Sequence, residues 1–113
     1  ENDREKCFVE VKNVTMKQGK YALFPDAVTK RGKKHLDTLV KVKQEGMRAV
    51  MLYVVQRMDV EVFGPATTID PDYARSLREA YKQGVEIIPV QARVSPEKIE
   101  IAEEMVFELG SER

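Results

Sequence analysis

Segments of strand character alternate with segments of helix character along this chain, and that order predicts a three-layer α/β domain built on a mixed central sheet. Three observations carry the prediction. Residues Arg48 to Gln56 are almost unbroken in apolar, β-branched and aromatic side chains, the pattern of a strand covered on both faces. Asp70, Pro71 and Gly84 bracket a stretch whose Tyr73, Ala74, Leu77, Ala80 and Tyr81 recur at helical spacing. From Cys7 to Val14, apolar and polar residues alternate with the period of a strand.

Taken in order, the first strand spans Cys7 to Val14, and a Gln18-Gly19-Lys20 turn leads into a short extended piece, Tyr21 to Phe24, halted by Pro25. A long helix starts near Thr29 and ends at Gly46, with Leu36, Leu39, Val40 and Val42 as its apolar side. Gly32 lowers helix propensity near its start and argues for a later beginning. After the Arg48 to Gln56 strand, Met58 to Phe63 is expected to extend or pair with it before Gly64-Pro65 breaks the chain. The second helix has Asp70 as N-cap, Pro71 at the first position, Asp72 in the first turn and Gly84 past its end. Val85 to Val94 forms another strand, in which Pro89 argues for an edge or a bulge. Ser95-Pro96-Glu97-Lys98 turns the chain into Ile99-Glu100-Ile101, and Met105-Val106-Phe107 adds a short strand before an acidic tail. There is no internal repeat or linker, so residues 1–113 read as one domain.

Composition bounds the function classes. A chain of 113 residues holds one modest core, and with 42% hydrophobic and 34% charged residues it is globular rather than disordered or membranous. The longest wholly apolar run, Ala49 to Val55, is far too short for a bilayer span, and no signal pattern is present, so a cytoplasmic location is expected. A single cysteine, Cys7, excludes an internal disulfide, and no Cys/His spacing for zinc exists. Net charge is zero but uneven. Lys12 to Arg48 carries ten Lys or Arg against three Asp or Glu, while Ala49 to the end carries seven against twelve. A basic first half on an otherwise acidic molecule is consistent with one phosphate-facing surface, although lysines also solvate ordinary helix faces.

The candidate chemistry lies on the first strand and at the entry to the first helix. Alternate strand residues share a face, so Glu10 and Lys12 point together: a hard oxygen ligand for Mg²⁺ or Mn²⁺ beside an amine able to meet a scissile phosphate. The same alternation is also what a half-buried strand with solvent-facing Glu and Lys shows. Asp26 reads either as a turn-forming residue after Pro25 or as a further metal or water ligand. Thr29, Arg31, Lys33, Lys34 and His35 surround the start of a basic helix, where unpaired N–H groups and the dipole favour a phosphate. His35 is the only histidine; its spacing to Leu39 and Val42 favours a packed ring, with a phosphate contact or the orientation of Asp26 as the other readings.

The runs FVEVKNVT (residues 8–15) and FPDAVTKRGKKHL (residues 24–36) resemble the sugar fermentation stimulation protein family, and the similarity continues through Asp70-Pro71-Asp72-Tyr73-Ala74 and Gly84-Val85-Glu86-Ile87 to Ser95-Pro96-Glu97. The resemblance implies a PD-(D/E)XK, restriction-endonuclease-like domain, DNA as partner, and an OB-like N-terminal part absent from this chain. It implies a DNA-binding regulator of sugar (maltose) metabolism, with an active metal-dependent DNA nuclease as the alternative; a purely structural module is the third reading. Glu10, Lys12 and Asp26 are then the catalytic candidates, Glu10 and Asp26 the ligands for Mg²⁺ or Mn²⁺, and a homodimer is a further expectation. Members also carry an Arg-x-Asp strand ahead of Glu-x-Lys whose Asp is the expected first metal ligand. This sequence is expected to begin inside the intervening hairpin, with Asn2-Asp3 as turn residues, which makes Asp3 a poor substitute and the chain truncated at that side.

Overall fold

The computed structural model describes residues 6–110. Its elements run β1 (Cys7–Val14), β2 (Met16–Gln18), β3 (Tyr21–Phe24), α1 (Lys30–Gln44), β4 (Arg48–Val55), β5 (Val62–Pro65), α2 (Pro71–Lys82), β6 (Glu86–Val94), β7 (Ile99–Glu104) and β8 (Val106–Phe107). The turn expected at Asn2-Asp3 lies outside the described residues. The strands fall into two mixed four-stranded sheets rather than one, in the orders β1-β4-β6-β7 and β2-β3-β5-β8. In the first, β1, β4 and β6 are parallel and β7 is antiparallel; in the second, β3, β5 and β8 are parallel and β2 is antiparallel.

Both helices begin and end where local chemistry dictates. Thr29 caps α1 by accepting from the Gly32 N–H, and Gly46 follows its end at φ 91°. Asp70 caps α2 by accepting from the Tyr73 N–H, Pro71 fills the first position, and Gly84 follows at φ 103°. A side chain at those two glycines would be strained, so each stops its helix sharply. Gly32 does not delay α1. A Cβ there would lie 2.8 Å from Thr29 Cγ2 and 3.2 Å from the Tyr73 ring, so the missing side chain is what lets the first turn of α1 close against α2.

Topology decides where the core sits. The crossovers β1–α1–β4 and β4–α2–β6 step in the same direction across the sheet, and right-handed crossovers therefore place both helices on one face. Leu36 and Leu39 of α1, Tyr73, Leu77 and Ala80 of α2, Ala49, Met51, Tyr53 and Val55 of β4, and Ile87 of β6 form one buried cluster. Ala22 and Phe63 bring the second sheet into it. Tyr81, expected in the helix core, is half exposed, with its ring edge-on to Phe107.

Two strand expectations change. Met58 to Phe63 does not continue β4. Arg57 clasps Asp59 through two hydrogen bonds, while the Gln91 amide donates to the carbonyls of Arg57 and Val60, so the chain turns away, and Val62–Pro65 pairs with β3 instead. Gly64 and Pro65 thus lie inside a strand. Pro89 sits in β6, an interior strand, and the bulge falls farther on, between Gln91 and Ala92. Pro89 is tolerated because its carbonyl, and hence the side of the missing N–H, faces Met105 just past the end of β7, leaving the β4 ladder intact.

Candidate functional site

Strand β1 lies at the edge of its sheet with Glu10, Lys12 and Val14 in register with Met51, Tyr53 and Val55, the core-facing residues of β4. Glu10 and Lys12 therefore turn toward the helices. Their side chains are 33% and 14% exposed. The pair is thus half-buried, on the side where an ordinary strand carries apolar residues.

His35 joins them from α1. Its Nδ1 lies 3.0 Å from Glu10 Oε2 and 2.6 Å from Lys12 Nζ, and Lys12 Nζ lies 3.4 Å from Glu10 Oε2. Nδ1 serves one partner at a time: unprotonated, it accepts from Lys12; protonated, it donates to Glu10. The three groups form a compact polar triangle whose hydrogen bonding is set by one proton. His35 does lie on the packed side of α1, as its spacing to Leu39 and Val42 implies, yet what it meets there is the β1 pair rather than Asp26.

Below the triangle lies an aromatic floor. Tyr53, beside Lys12 in register, shares a hydrogen bond between phenol oxygens with Tyr73 of α2. Burial pushes both phenols above their usual range, and the neighbouring Asp70 and Glu10 carboxylates act in the same direction on Tyr73. Both stay neutral at physiological pH. Phe24 packs its ring on Tyr53 and Tyr73 at 5.7 and 5.4 Å between centroids. It thereby anchors the bend that carries Asp26, which is exposed between β3 and α1.

The entrance of α1 is tied down by one buried carboxylate. Asp70, 4% exposed, accepts from the Tyr73 N–H through Oδ1 and from the Thr29 N–H through Oδ2. It caps its own helix and also holds the cap of the other. Thr29 accordingly serves as a structural cap, its hydroxyl committed to Gly32. Arg31, Lys33 and Lys34 are exposed around the first turns of α1, while the triangle itself is half-buried. The sequence marks Asp70 only as a cap of α2 and Tyr73 only as core. The long-range bond to Thr29 leaves no local signal, although a carboxylate at an N-cap already marks the position as an acceptor.

The fit to a divalent cation is partial. Glu10 supplies one hard oxygen ligand, and its ion-pair partners among the described residues are Lys12 and His35. Among the described residues no three His, Cys, Asp or Glu side chains gather into a metal cluster. Residues 6–110 thus gather no set of three such ligands, where Mg²⁺ or Mn²⁺ needs several oxygens. Nor, among these residues, is any helix long and apolar enough to cross a membrane.

Comparison with known proteins places this arrangement. Residues 1–98 match the family model described as the sugar fermentation stimulation protein RE domain. The sugar fermentation stimulation protein homolog of Pelobacter propionicus is 53% identical over 100 residues, covering 88% of this chain and 44% of that protein. That of Geobacter metallireducens is 50% identical over 105 residues, covering 93% and 45%. Among solved structures, SfsA of Pyrococcus furiosus in complex with Ca²⁺ superposes with a TM-score of 0.84 at 32% identity, over 90% of this chain and 45% of that one. The chain spans less than half the length of these relatives, and it belongs to the sugar fermentation stimulation protein family.

Proposed function

We propose that this domain binds DNA through the start of α1, in the service of a regulator of sugar metabolism. One observation supports the reading above the others. The first turns of α1 carry Lys30, Arg31, Lys33 and Lys34, with no acidic residue in the first turn. Cations at the positive end of a helix dipole are each unfavourable by roughly 0.3–1 kcal/mol unless an anion neutralises them. The other helix has Asp72 in its first turn as well as Asp70, whose carboxylate the two helix starts share. A phosphate backbone is the polyanion that relieves such an arrangement, with Arg31 suited to a bidentate contact. The finer fold reading, a three-layer restriction-endonuclease-like domain of PD-(D/E)XK type, belongs to the same proposal.

The second reading, a metal-dependent nuclease, is favoured by the inward-facing Glu10 and Lys12. It requires further oxygen ligands beside Glu10, with Asp26 the candidate among the described residues, and the Ca²⁺ complex of the Pyrococcus furiosus relative is its support by analogy. One experiment separates the two readings. Labelled double- and single-stranded DNA is titrated with the 113-residue chain across a salt series, and with Mn²⁺, Mg²⁺ or EDTA. DNA binding predicts that Arg31→Ala with Lys34→Ala weakens affinity and flattens the salt dependence by about one unit of slope for each phosphate no longer neutralised, while Glu10→Gln changes little. Metal-dependent cutting that disappears in Lys12→Ala supports the nuclease. No association at physiological salt would sink the DNA reading.

A further inference from the structure

The second sheet carries a groove on the face turned away from the core. Met16 and Gln18 of β2 pair with Leu23 and Tyr21 of β3, and Leu23 lies in register with Gly64 of β5. Ala22 and Phe63 belong to the core, so their strand neighbours Tyr21, Leu23 and Gly64 face the opposite way. Leu23 and Gly64 form the floor, Met16 and Gln18 one wall, and Glu108 to Gly110 the other, while the loop of residues 66–69 closes the end. Gly64 lets the second wall come close, since a Cβ there would lie 2.9 Å from the Glu108 carbonyl oxygen. The groove encloses about 880 Å³, within the roughly 300–1,000 Å³ of small-molecule sites.

The lining narrows the ligand. Met16, Leu23, Ile69 and Leu109 supply an apolar bed. Lys17 and Glu108, one cation and one carboxylate, leave no net charge, and each already has a partner: Lys17 Nζ lies 3.9 Å from Asp59 Oδ2, and Glu108 accepts from the Tyr21 phenol at 2.9 Å. The other polar side chains are the exposed Gln18 amide and the Thr67 and Thr68 hydroxyls, neutral groups that both donate and accept. A sugar ring, with apolar C–H faces and a rim of hydroxyls, matches the bed and the rim together. The end loop is also tied to α1. The Ala66 N–H donates to the Phe24 carbonyl at 2.8 Å, its carbonyl accepts from the Ile69 and Asp70 N–H groups, and Asp70 holds the Thr29 N–H. We infer that the groove is an effector site for a small neutral polyhydroxylated compound of one or two sugar rings. Held by Thr67 and Thr68, that compound bears on Asp70 and through it on the cap of α1, so that, resting on the DNA reading, its occupancy alters DNA affinity.

The test follows backbone amide shifts of the 113-residue chain titrated with glucose and maltose, and with glucosamine and glucose 6-phosphate as charged counterparts. The inference predicts saturable shifts at residues 16–23, 64–69 and 108–110, a transmitted shift at the Thr29 amide, and weaker binding of both charged compounds. Thr67→Val with Thr68→Val should lower affinity about tenfold, the loss of one or two hydrogen bonds. Should that variant fail to fold, Gln18→Ala on the opposite wall reads the same loss. No saturable shift with either neutral sugar, shifts scattered over the surface, or tighter binding of a charged compound overturns the site. DNA is then titrated with the groove empty and saturated, and a several-fold change in affinity is expected, with DNA changing sugar affinity by the same factor. DNA affinity that ignores a saturated groove overturns the effector role. Groove shifts in a chain that holds no DNA sink the DNA reading and still support the site.

Discussion

The two sides of strand β1 are inverted relative to an ordinary surface strand. Its charged residues, Glu10 and Lys12, turn toward the core side and meet His35, while two of its three valines, Val9 and Val11, lie half exposed on the opposite side and the third, Val14, is buried on the core side. In a strand covered on one face, alternation places apolar residues inward and charges outward. Here each side breaks the rule for its own reason. Inside, a polar triangle occupies the volume that Met51 and Tyr53 occupy on the neighbouring strand, at the cost of partly desolvating two charges. Outside, apolar residues lie half exposed. A strand with this inversion is informative about where the polar site lies.

The sharpest way to break the comparison is to truncate apolar groups on the two sides. Met51→Ala empties a fully buried position beside Glu10 and should destabilise the 113-residue chain by about 2–5 kcal/mol. Val11→Thr, on the open side, should stay within about 0.5 kcal/mol in the same chain, because little of that side chain is removed from water. Urea unfolding followed by circular dichroism reads both. Comparable losses would mean that the outer side is already covered in solution.

A smaller effect is expected where the site meets the helices. Asp70→Ala leaves the N–H groups of Thr29 and Tyr73 without their acceptor, and should cost about 1–3 kcal/mol. The more telling readout is local: amide exchange should accelerate in the first turns of both α1 and α2, since one carboxylate serves both. Faster exchange confined to α2 would show that the bond to Thr29 contributes little to holding α1 beside β1.

Much of this arrangement is legible in the chain itself. Thr29, Gly46, Asp70, Pro71 and Gly84 mark the helices because caps and stops act through neighbours in sequence, and β4 announces itself by an apolar run that suits only a central strand. The division into two sheets is not legible. Val62–Pro65 is too short to carry a period, and its partner is chosen by the Arg57–Asp59 corner and the Gln91 amide, which join distant parts of the chain. Alternation groups Glu10 with Lys12 but leaves open which side is inward, because that depends on where both crossovers place their helices. The approach of His35 and the second bond of Asp70 are long-range for the same reason.

The smallest effect contrasts the half-buried pair on β1 with an exposed one past the end of β4. Arg57 hydrogen-bonds Asp59 and holds its carboxyl at about 2, below the ordinary 3.8, with Lys17 adding a weaker attraction. Because the folded value is depressed, the stabilisation is fully present above about 4 and is lost as pH falls toward about 2. Both groups are exposed and screened, so the effect is modest and weakens with salt. Arg48 depresses Glu86 in the same direction at the other end of β4, so acid alone does not separate the two pairs. Arg57→Gln should do so, by flattening the fall of the thermal midpoint between pH 4 and pH 2 while leaving the contribution of Glu86 in place. An unchanged pH slope in Arg57→Gln would assign the acid sensitivity to other carboxylates. The Arg57–Asp59 clasp would then matter only as the corner that turns the chain from one sheet into the other.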